Sequence, residues 1–433
     1  EDLWRRAITH YLTTRRETVV DTEDFRKAVS EATGLPLDWF FEQWLYRAGY
    51  PEYEVAWRWD DSLRLVALDV RQTQTVDSLT PLFRTPVEIL IRGDFGEQSL
   101  TLDIAKADQT FYLPAPSRPA MILFDPENII LKKLTFTKTA AELIEQLNAG
   151  PTVSARLRAA EWLGERPDSH RAVAALSEAL ATDSFWGVRA ACAAALGKLK
   201  GDTAAQALIN ALDDQRSEVR VSAATALGEF PEDAGTIAAL ERVLHTDLSY
   251  KAQAEALKAL AKAGAEQAFK HCREALRMSS YRELVRSAAF DALITLKDSR
   301  GLDLAFDWAQ PGKPTDARTT AIKALGKLGA EMPERTDAVR ERLIGLLSDS
   351  HYRVRHAALN ALGDLGDPGA AAALEEALRR EPLWGMKKAA RAALRKVEDT
   401  SDSELEELRA QLEETKAALD SLTQSIDTTS DQR

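Results

Sequence analysis

A repeat between residue 137 and residue 397 is the feature that most restricts how this chain of 433 residues folds. One leucine recurs every 31 to 37 residues within alanine-rich stretches of helical spacing. A unit of this length accommodates two helices, which bury their apolar faces only when the next unit stacks on them. The repeat therefore predicts an α-α superhelix (an α-solenoid) over residues 137–398. The register leucines are Leu163, Leu196, Leu227, Leu260, Leu293, Leu325, Leu362 and Leu394.

Two charged positions accompany the register leucine. The spacing predicts that an aspartate thirteen residues before it caps the second helix of each repeat. An arginine seven residues before it lies inside that helix, where it reaches the acidic group of the next repeat. The acidic residues are Asp183, Asp214, Asp247 and Asp349, with Glu381 similar in kind. We predict a structural role for the repeat arginines Arg156, Arg189, Arg220, Arg286, Arg318 and Arg355, which Gln253 and Lys387 replace in the other two repeats.

Four repeats carry an aromatic residue ten positions before the register leucine. Two interpretations stay open for these rings. They fill the junctions between hairpins, or they line a groove with the repeat arginines on the concave face of the solenoid. Such a groove would bind an extended peptide substrate or a protein partner, because Tyr and Trp offer rigid contact area and Arg offers hydrogen-bond donors. The residues are Trp186, Tyr250, Tyr352 and Trp384.

The repeat also resembles a known family. The pattern D-x-x-x-x-V-R-x-x-A-x-x-A-L-G stands at 214–228 and 349–363, and at 183–197 with Cys192 in place of the first alanine. This resembles the short HEAT repeats first noted in phycobilin lyases. The resemblance implies helical hairpins that stack into a curved solenoid with a concave binding surface.

The segment before the repeats changes period from 3.6 to 2 residues at Tyr53. About seven short alternating runs follow up to residue 135, separated by turn residues. This spacing is typical of a small β-sandwich, which we place at 51–136. Residues 1–50 have helical spacing instead, with Asp21 as a helix cap, Gly34 as a helix end and a further helix from Pro36.

The first 55 residues resemble the M1 family of zinc metallopeptidases, the aminopeptidase N group. The segments "DTEDFRKAVSEATG" (21–34) and "LDWFFEQWLYRAGYPEYEV" (37–55) carry that resemblance. It implies the helical end of a thermolysin-like catalytic domain, then a β-sandwich and a helical C-terminal domain, which is the order found here. The matching positions are Thr22, Asp24, Phe25, Ala28, Thr33, Gly34, Phe40, Phe41, Trp44, Gly49 and Pro51.

The resemblance places the catalytic groups outside this chain. Glu1 already lies in a helical pattern, so we expect a catalytic domain to precede it and to hold the zinc motif. Phe40, Phe41 and Trp44 would form the face that packs on that domain. Within this chain we expect no catalytic residue, metal site or cofactor. His351 and His356, for example, lie on different helix faces and lack a third ligand.

Composition and the C-terminal segment complete the expected organisation. A net charge of −12 disfavours nucleic-acid binding, and no apolar run is long enough to span a membrane. Two cysteines without a disulfide framework favour a reducing, cytoplasmic location. Residues 399–433 predict an amphipathic, coiled-coil-like helical tail with a disordered end. Heptad positions between 405 and 426 would pair with a second copy or fold back on the solenoid, and both remain open.

The sequence therefore predicts a multidomain α+β protein and three functional interpretations. The first is the non-catalytic C-terminal part of an M1-type aminopeptidase whose solenoid shapes access to the active-site cleft. The second is a non-catalytic M1 relative that acts as a scaffold for protein partners through the concave face. The third is an accessory protein like the phycobilin lyases, which the first 135 residues argue against.

Overall fold

The predicted fold class is confirmed by the computed structural model, which has terminal helices, two small sheets and a long series of helical hairpins along the chain. The structure describes residues 2–166 and 170–430, without the side chains of 401–408, 414 and 417–430. The chain divides into two compact units, Glu1–Ala175 and Leu176–Arg433. The domain boundaries expected at 50, 136 and 398 stay predictions.

The first unit begins with three short helices. Asp21 caps the second helix through a reciprocal pair of hydrogen bonds with Asp24, and Gly34 ends it with φ of 71°. The next helix begins at Asp38 and not at Pro36 as predicted, and it continues as a π-helical turn. The bounds are α1 Asp2–Thr14, α2 Thr22–Thr33, α3 Asp38–Phe41 and the π turn Glu42–Tyr46.

Seven strands follow and form two sheets. Their order is β5-β2-β1-β7 in one sheet and β4-β3-β6 in the other. Inward-facing residues alternate along β3, where Val87, Ile89 and Ile91 are fully buried in the hydrophobic core, whereas all four residues of β6 are buried. The bounds are β1 Glu52–Asp60, β2 Leu65–Gln72, β3 Thr85–Gly93, β4 Gly96–Ile104, β5 Asp108–Pro114, β6 Met121–Phe124 and β7 Lys133–Phe136.

A buried lysine joins the sandwich to the first helical hairpin, α4 (Ala140–Ala149) and α5 (Val153–Leu163). The Nζ of Lys138 donates to the carbonyl oxygen of Ile122 at 2.6 Å and to the side-chain oxygen of Gln146. Burial lowers the pKa of Lys138 to about 7. This lysine therefore makes the stability of the first unit depend on pH.

The register leucines lie in the second helices of the hairpins, Leu163 in α5 of the first unit and the others in the second unit. All are fully buried except Leu394, which is half-buried at the last repeat. The helices are α6 His170–Thr182, α7 Trp186–Leu199, α8 Asp202–Ala211, α9 Ser217–Leu227, α10 Ala234–Thr246, α11 Tyr250–Lys262, α12 Ala268–Ala275, α13 Leu284–Leu296, α14 Ser299–Trp308, α15 Thr315–Ala330, α16 Thr336–Leu346, α17 Tyr352–Leu365, α18 Ala371–Arg380 and α19 Trp384–Ser430.

Glycines let the second helices approach one another closely. The glycine directly after a register leucine faces the alanine directly before the register leucine of the next repeat. A Cβ at Gly326 would lie 2.4 Å from the carbonyl oxygen of Ala361, and one at Gly363 would lie 2.8 Å from the Cα of Ala393. First helices of neighbouring repeats make far fewer contacts, so the repeats stack on one another mainly through their second helices.

The C-terminal tail continues the last repeat helix without a break, since α19 extends to Ser430. Leu412 is exposed. Most other heptad side chains between 405 and 426, and the end of the chain at 431–433, lie outside the described residues. Pairing of this tail therefore stays a prediction. None of the described helices, α19 included, combines the length and apolarity needed to cross a membrane.

The close contact at Gly326 predicts a strong effect of one methyl group. We expect Gly326→Ala to lower the free energy of unfolding by about 1–3 kcal/mol, because the added Cβ overlaps the backbone of Ala361. Gly345→Ala is the control, since nothing lies within 4 Å of a Cβ on that exposed helical glycine. It should raise stability by about 0.4–1 kcal/mol. Denaturant unfolding measures both, and equal effects would contradict the close approach.

The buried amine predicts a rise of stability with pH. Unfolding returns the pKa of Lys138 from about 7 to its ordinary 10.5, so between these values the unfolded state binds more protons. From pH 7 to about 8.5 the free energy of unfolding should rise by up to about 1.4 kcal/mol per pH unit relative to Lys138→Met. Urea unfolding of both proteins at several pH values measures the difference. Parallel pH profiles would contradict the assignment.

Candidate functional site

The repeat arginines connect consecutive turns of the solenoid. Arg189, on α7, donates from Nε and Nη2 to the two carboxylate oxygens of Asp214 at 2.7 and 2.9 Å. Its Nη1 donates to the carbonyl oxygen of Asp183 in its own turn at 2.8 Å. One guanidinium thus ties a turn to the turn of the next repeat through a bidentate pair.

The same arrangement recurs along the second unit. Arg220 donates to both carboxylate oxygens of Asp247 at 2.7 and 2.8 Å and to the carbonyl oxygen of Asp214 at 2.9 Å. Arg318 reaches Asp349 at 2.7 Å, and Arg355 reaches Glu381 at 2.7 Å. These charged groups are largely buried.

The predicted capping role of the aspartates is wrong. The Oδ1 of Asp214 accepts the backbone N–H of Arg216, and Arg216 is itself the N-cap residue of α9. The aspartate therefore closes the turn that precedes the helix, as Asx turns do. Burial alone would raise the pKa of Asp214, but hydrogen bonds from Arg189 and the Arg216 amide outweigh it and lower that pKa.

The other repeats vary this scheme. Gln253 donates to the carbonyl oxygen of Asp247 at 2.8 Å and so replaces one of the arginine's bonds. Arg286 donates to the carbonyl oxygen of Leu276 and lies 5.2 Å from the ring centre of Trp308. In the first unit, Arg156 donates to the carbonyl oxygen of Gly150 at 3.2 Å.

The four aromatic residues occupy the first position of α7, α11, α17 and α19. Trp186 is half-buried under the guanidinium of Arg216 at 5.4 Å. Tyr250, Tyr352 and Trp384 are 43%, 56% and 73% exposed. Only α17 and α19 among these helices are neighbours, so the rings do not form one continuous column. The guanidinium groups of Arg189, Arg220, Arg318 and Arg355 are hydrogen-bonded in the turns, and a groove lined by rings and arginines together stays a prediction.

A shallow groove of about 620 Å³ lies on the second-helix layer across α15, α17 and α19. Its walls carry charges that pair across neighbouring helices. Arg353 contacts Asp316 at 2.5 Å, Lys396 contacts Asp364 at 2.6 Å, and Lys323 contacts Asp291 at 2.7 Å. The remaining lining residues include Thr319, Tyr352, His356 and Asn360. This mixed, balanced surface suits a peptide that carries both charges and backbone polar groups.

Sequence reasoning missed one cluster of possible metal ligands. His245, His271 and Glu274 come from two first helices, and each offers a ligand atom within 4.8 Å of the others. His351 and His356, the pair weighed from the sequence, are not part of it. The two cysteines are inert by contrast, because burial raises the pKa of Cys192 and of Cys272 to about 12.

The arginine bridges predict a specific loss of stability. Replacing Arg220 by Ala should lower the free energy of unfolding by about 1.5–3 kcal/mol, because charge-assisted hydrogen bonds to a buried carboxylate are lost. Arg242→Ala is the matched control, since Arg242 pairs with Asp213 at 2.8 Å with both groups exposed. Its effect should stay below about 1 kcal/mol. Thermal unfolding followed by circular dichroism compares them, and equal melting temperatures would refute the bridge.

Known proteins share both the repeat and the overall fold. Residues 140–228, 237–326 and 308–395 match HEAT repeats and together make up more than half of the chain. The crystal structure of Legionella pneumophila aminopeptidase A in complex with aspartic acid is similar, with a TM-score of 0.59 and 15% identity. The match covers 92% of this chain but only 55% of that one. No curated protein sequence matches this chain. By its repeats, the chain belongs to the HEAT-repeat family.

Proposed function

We propose that this chain is the non-catalytic C-terminal part of an M1-type, zinc-dependent aminopeptidase. The observation that carries the proposal is the extent of the similarity to aminopeptidase A, which covers 92% of this chain and leaves much of that enzyme unmatched. The M1-like residues at 21–55 support it independently. The catalytic zinc and its ligands would belong to a preceding domain.

A contiguous aromatic surface at the start of the chain supports a missing partner domain. Ring contacts connect Trp4 to Phe25, Phe25 to Phe41, Phe41 to Phe40 and Phe40 to Trp39, with centroids about 6 Å apart. Trp4, Trp39 and Phe40 are exposed, as are Leu45 and Tyr46. Exposed apolar surface of this extent marks an interaction site.

In the structure, Trp44 of the expected packing face makes different contacts from Phe40 and Phe41. Trp44 turns toward the sandwich, where its ring centre lies 5.4 Å from that of Phe83. The neighbouring Gln43 is buried and bonds to the backbone of Arg84 in both directions. Phe40 is exposed and contacts the rings of Trp39 and Phe41 instead. In the proposed parent, Phe40 and the partly exposed Phe41 would pack on the catalytic domain, while Trp44 would fix the sandwich behind them.

In this parent, the repeats would limit the access of substrates to the active-site cleft. A second-helix layer with paired charges, such as Arg353 with Asp316 and Lys396 with Asp364, offers polar contacts to a peptide. Such a surface can limit the approach of long peptides to a cleft while releasing them readily. The solenoid therefore supplies selectivity, and the chemistry takes place elsewhere.

A scaffold is the second candidate function. The groove at Tyr352 favours it, because an exposed ring among balanced charges fits a polar partner segment. In that case the preceding domain would retain the M1 architecture without an active zinc site. The aromatic surface near Phe40 would still be covered by that domain.

The effect of Phe40→Ala should depend on the preceding domain. In this chain alone the exposed ring makes few contacts, so its loss should change the melting temperature little. In the longer parent protein the same substitution should cost about 3–5 kcal/mol if the ring is buried. Leu248→Ala, at a fully exposed leucine of the repeats, is the control in both proteins. Equal small effects of Phe40→Ala in the two proteins would contradict the docking face.

An activity assay separates the two candidate functions. The parent protein should cleave aminoacyl-4-nitroanilides, lose that activity with a zinc chelator and regain it with added zinc. The chain alone should not cleave them. A parent that is inactive and metal-free in its first domain, yet still docks through Phe40, would refute the enzyme and support the scaffold.

A further inference from the structure

His271 presents an unusual polar atom inside the repeats. It lies on α12, only 6% exposed, against the end of α10. Its Nδ1 is buried and has no hydrogen-bond partner among the described residues. Burying such an atom without a partner costs about 1–3 kcal/mol. A second observation is needed to say what the atom is for, and its neighbours supply it.

Two further ligand-bearing side chains converge on this histidine. Glu274 lies one turn further along α12, and its Oε2 is 3.8 Å from Nδ1 of His271, which is beyond hydrogen-bond distance. His245, at the end of α10, places its ring centre 5.5 Å from that of His271. One ligand atom of each residue lies within 4.8 Å of the other two. Small side-chain rotations would bring all three to one central ion, because His245 is exposed and Glu274 half-buried.

The opposite side of the His271 ring has a partner that orients it. Nε2 lies 3.0 Å from Oε1 of Glu241, a residue of α10. When Nε2 carries the proton and donates it to this carboxylate, the lone pair of the ring is on Nδ1. This carboxylate–histidine arrangement is the one that sets the tautomer and orientation of metal-bound histidines in proteins.

We propose that His245, His271 and Glu274 form a binding site for a divalent transition-metal ion, with zinc as the ion that the ligand set favours. Two imidazole nitrogens and one carboxylate match zinc sites that keep a fourth position for water or an external ligand. Glu241 is a positioning residue that acts through His271. Such a site revises the expectation that this chain binds no metal.

The location gives the site a structural consequence. Helices α10 and α12 are the first helices of consecutive repeats, in the layer where neighbouring repeats make few direct contacts. An ion held by both helices would clamp this layer at one point in the middle of the solenoid. Metal binding to the folded state alone would then raise the melting temperature in proportion to the logarithm of free zinc above the dissociation constant.

Zinc titration of the metal-stripped chain, prepared without a histidine tag, tests the site. Calorimetry and elemental analysis should give one bound zinc per chain, together with a zinc-dependent rise in melting temperature. His245→Ala and Glu274→Gln should abolish stoichiometric binding. His351→Ala, which removes an exposed histidine outside the cluster, should bind like the wild type. Circular dichroism checks that each variant is folded, and His245 suits this purpose because it is exposed.

The Glu241→Gln variant tests whether His271 is held in position as a metal ligand or is an ordinary buried histidine. Loss of the orienting carboxylate should weaken zinc binding by about 10–100-fold while the stoichiometry stays at one. Substitution with Co²⁺ should give a visible absorption band that disappears in His245→Ala. Absence of stoichiometric zinc in the folded wild-type chain would overturn the proposal. Zinc binding that is unchanged in both His245→Ala and Glu274→Gln would overturn it as well.

Discussion

The bidentate pairing of an arginine with the turn aspartate of the next repeat is the interaction on which the solenoid depends. Asp214 shows which groups this pairing requires at the turn. Its carboxylate accepts hydrogen bonds from Arg189 of the preceding repeat, while its carbonyl oxygen accepts one from Arg220 of the helix that follows it, α9. A planar guanidinium can satisfy a carboxylate and a carbonyl at once, and a lysine cannot match that geometry. The turn at Asp214 is thereby fixed to both neighbouring repeats.

The close approach of the second helices complements these bridges. The bridges hold the turns at one end of the hairpins, and the contact of Gly326 with Ala361 brings the helices together further along. Because the first helices of neighbouring repeats make far fewer contacts, the repeats stack mainly through the second-helix layer. Charged side chains on that layer pair between neighbouring helices, as Lys396 does with Asp364.

Local periodicity made most of the fold predictable, and non-local contacts made the rest unpredictable. The seven strands followed from alternation and the repeat helices from the spacing of leucine, which are properties of short segments. The sequence predicts the repeat aspartates as helix N-caps, which is wrong because N-caps and Asx turns favour the same residue types. The two positions are only two residues apart in the chain. Lys138 gave no signal, since a lysine is ordinarily exposed. The ligands His245 and His271 lie on separate helices, so no motif spacing could connect them.

The described surfaces of the two units point to different kinds of interaction. Around Phe40, connected aromatic rings are exposed to water, which is costly for a protein that stays alone and favourable only if a partner covers them permanently. On the second-helix layer the charged side chains already pair with one another. A ligand that binds there replaces these pairs, so it gains only the difference in free energy between the old and the new polar contacts. Permanent association is therefore expected at the first surface and reversible binding at the second. In the proposed parent, the activity would reside in the domain that covers the surface around Phe40.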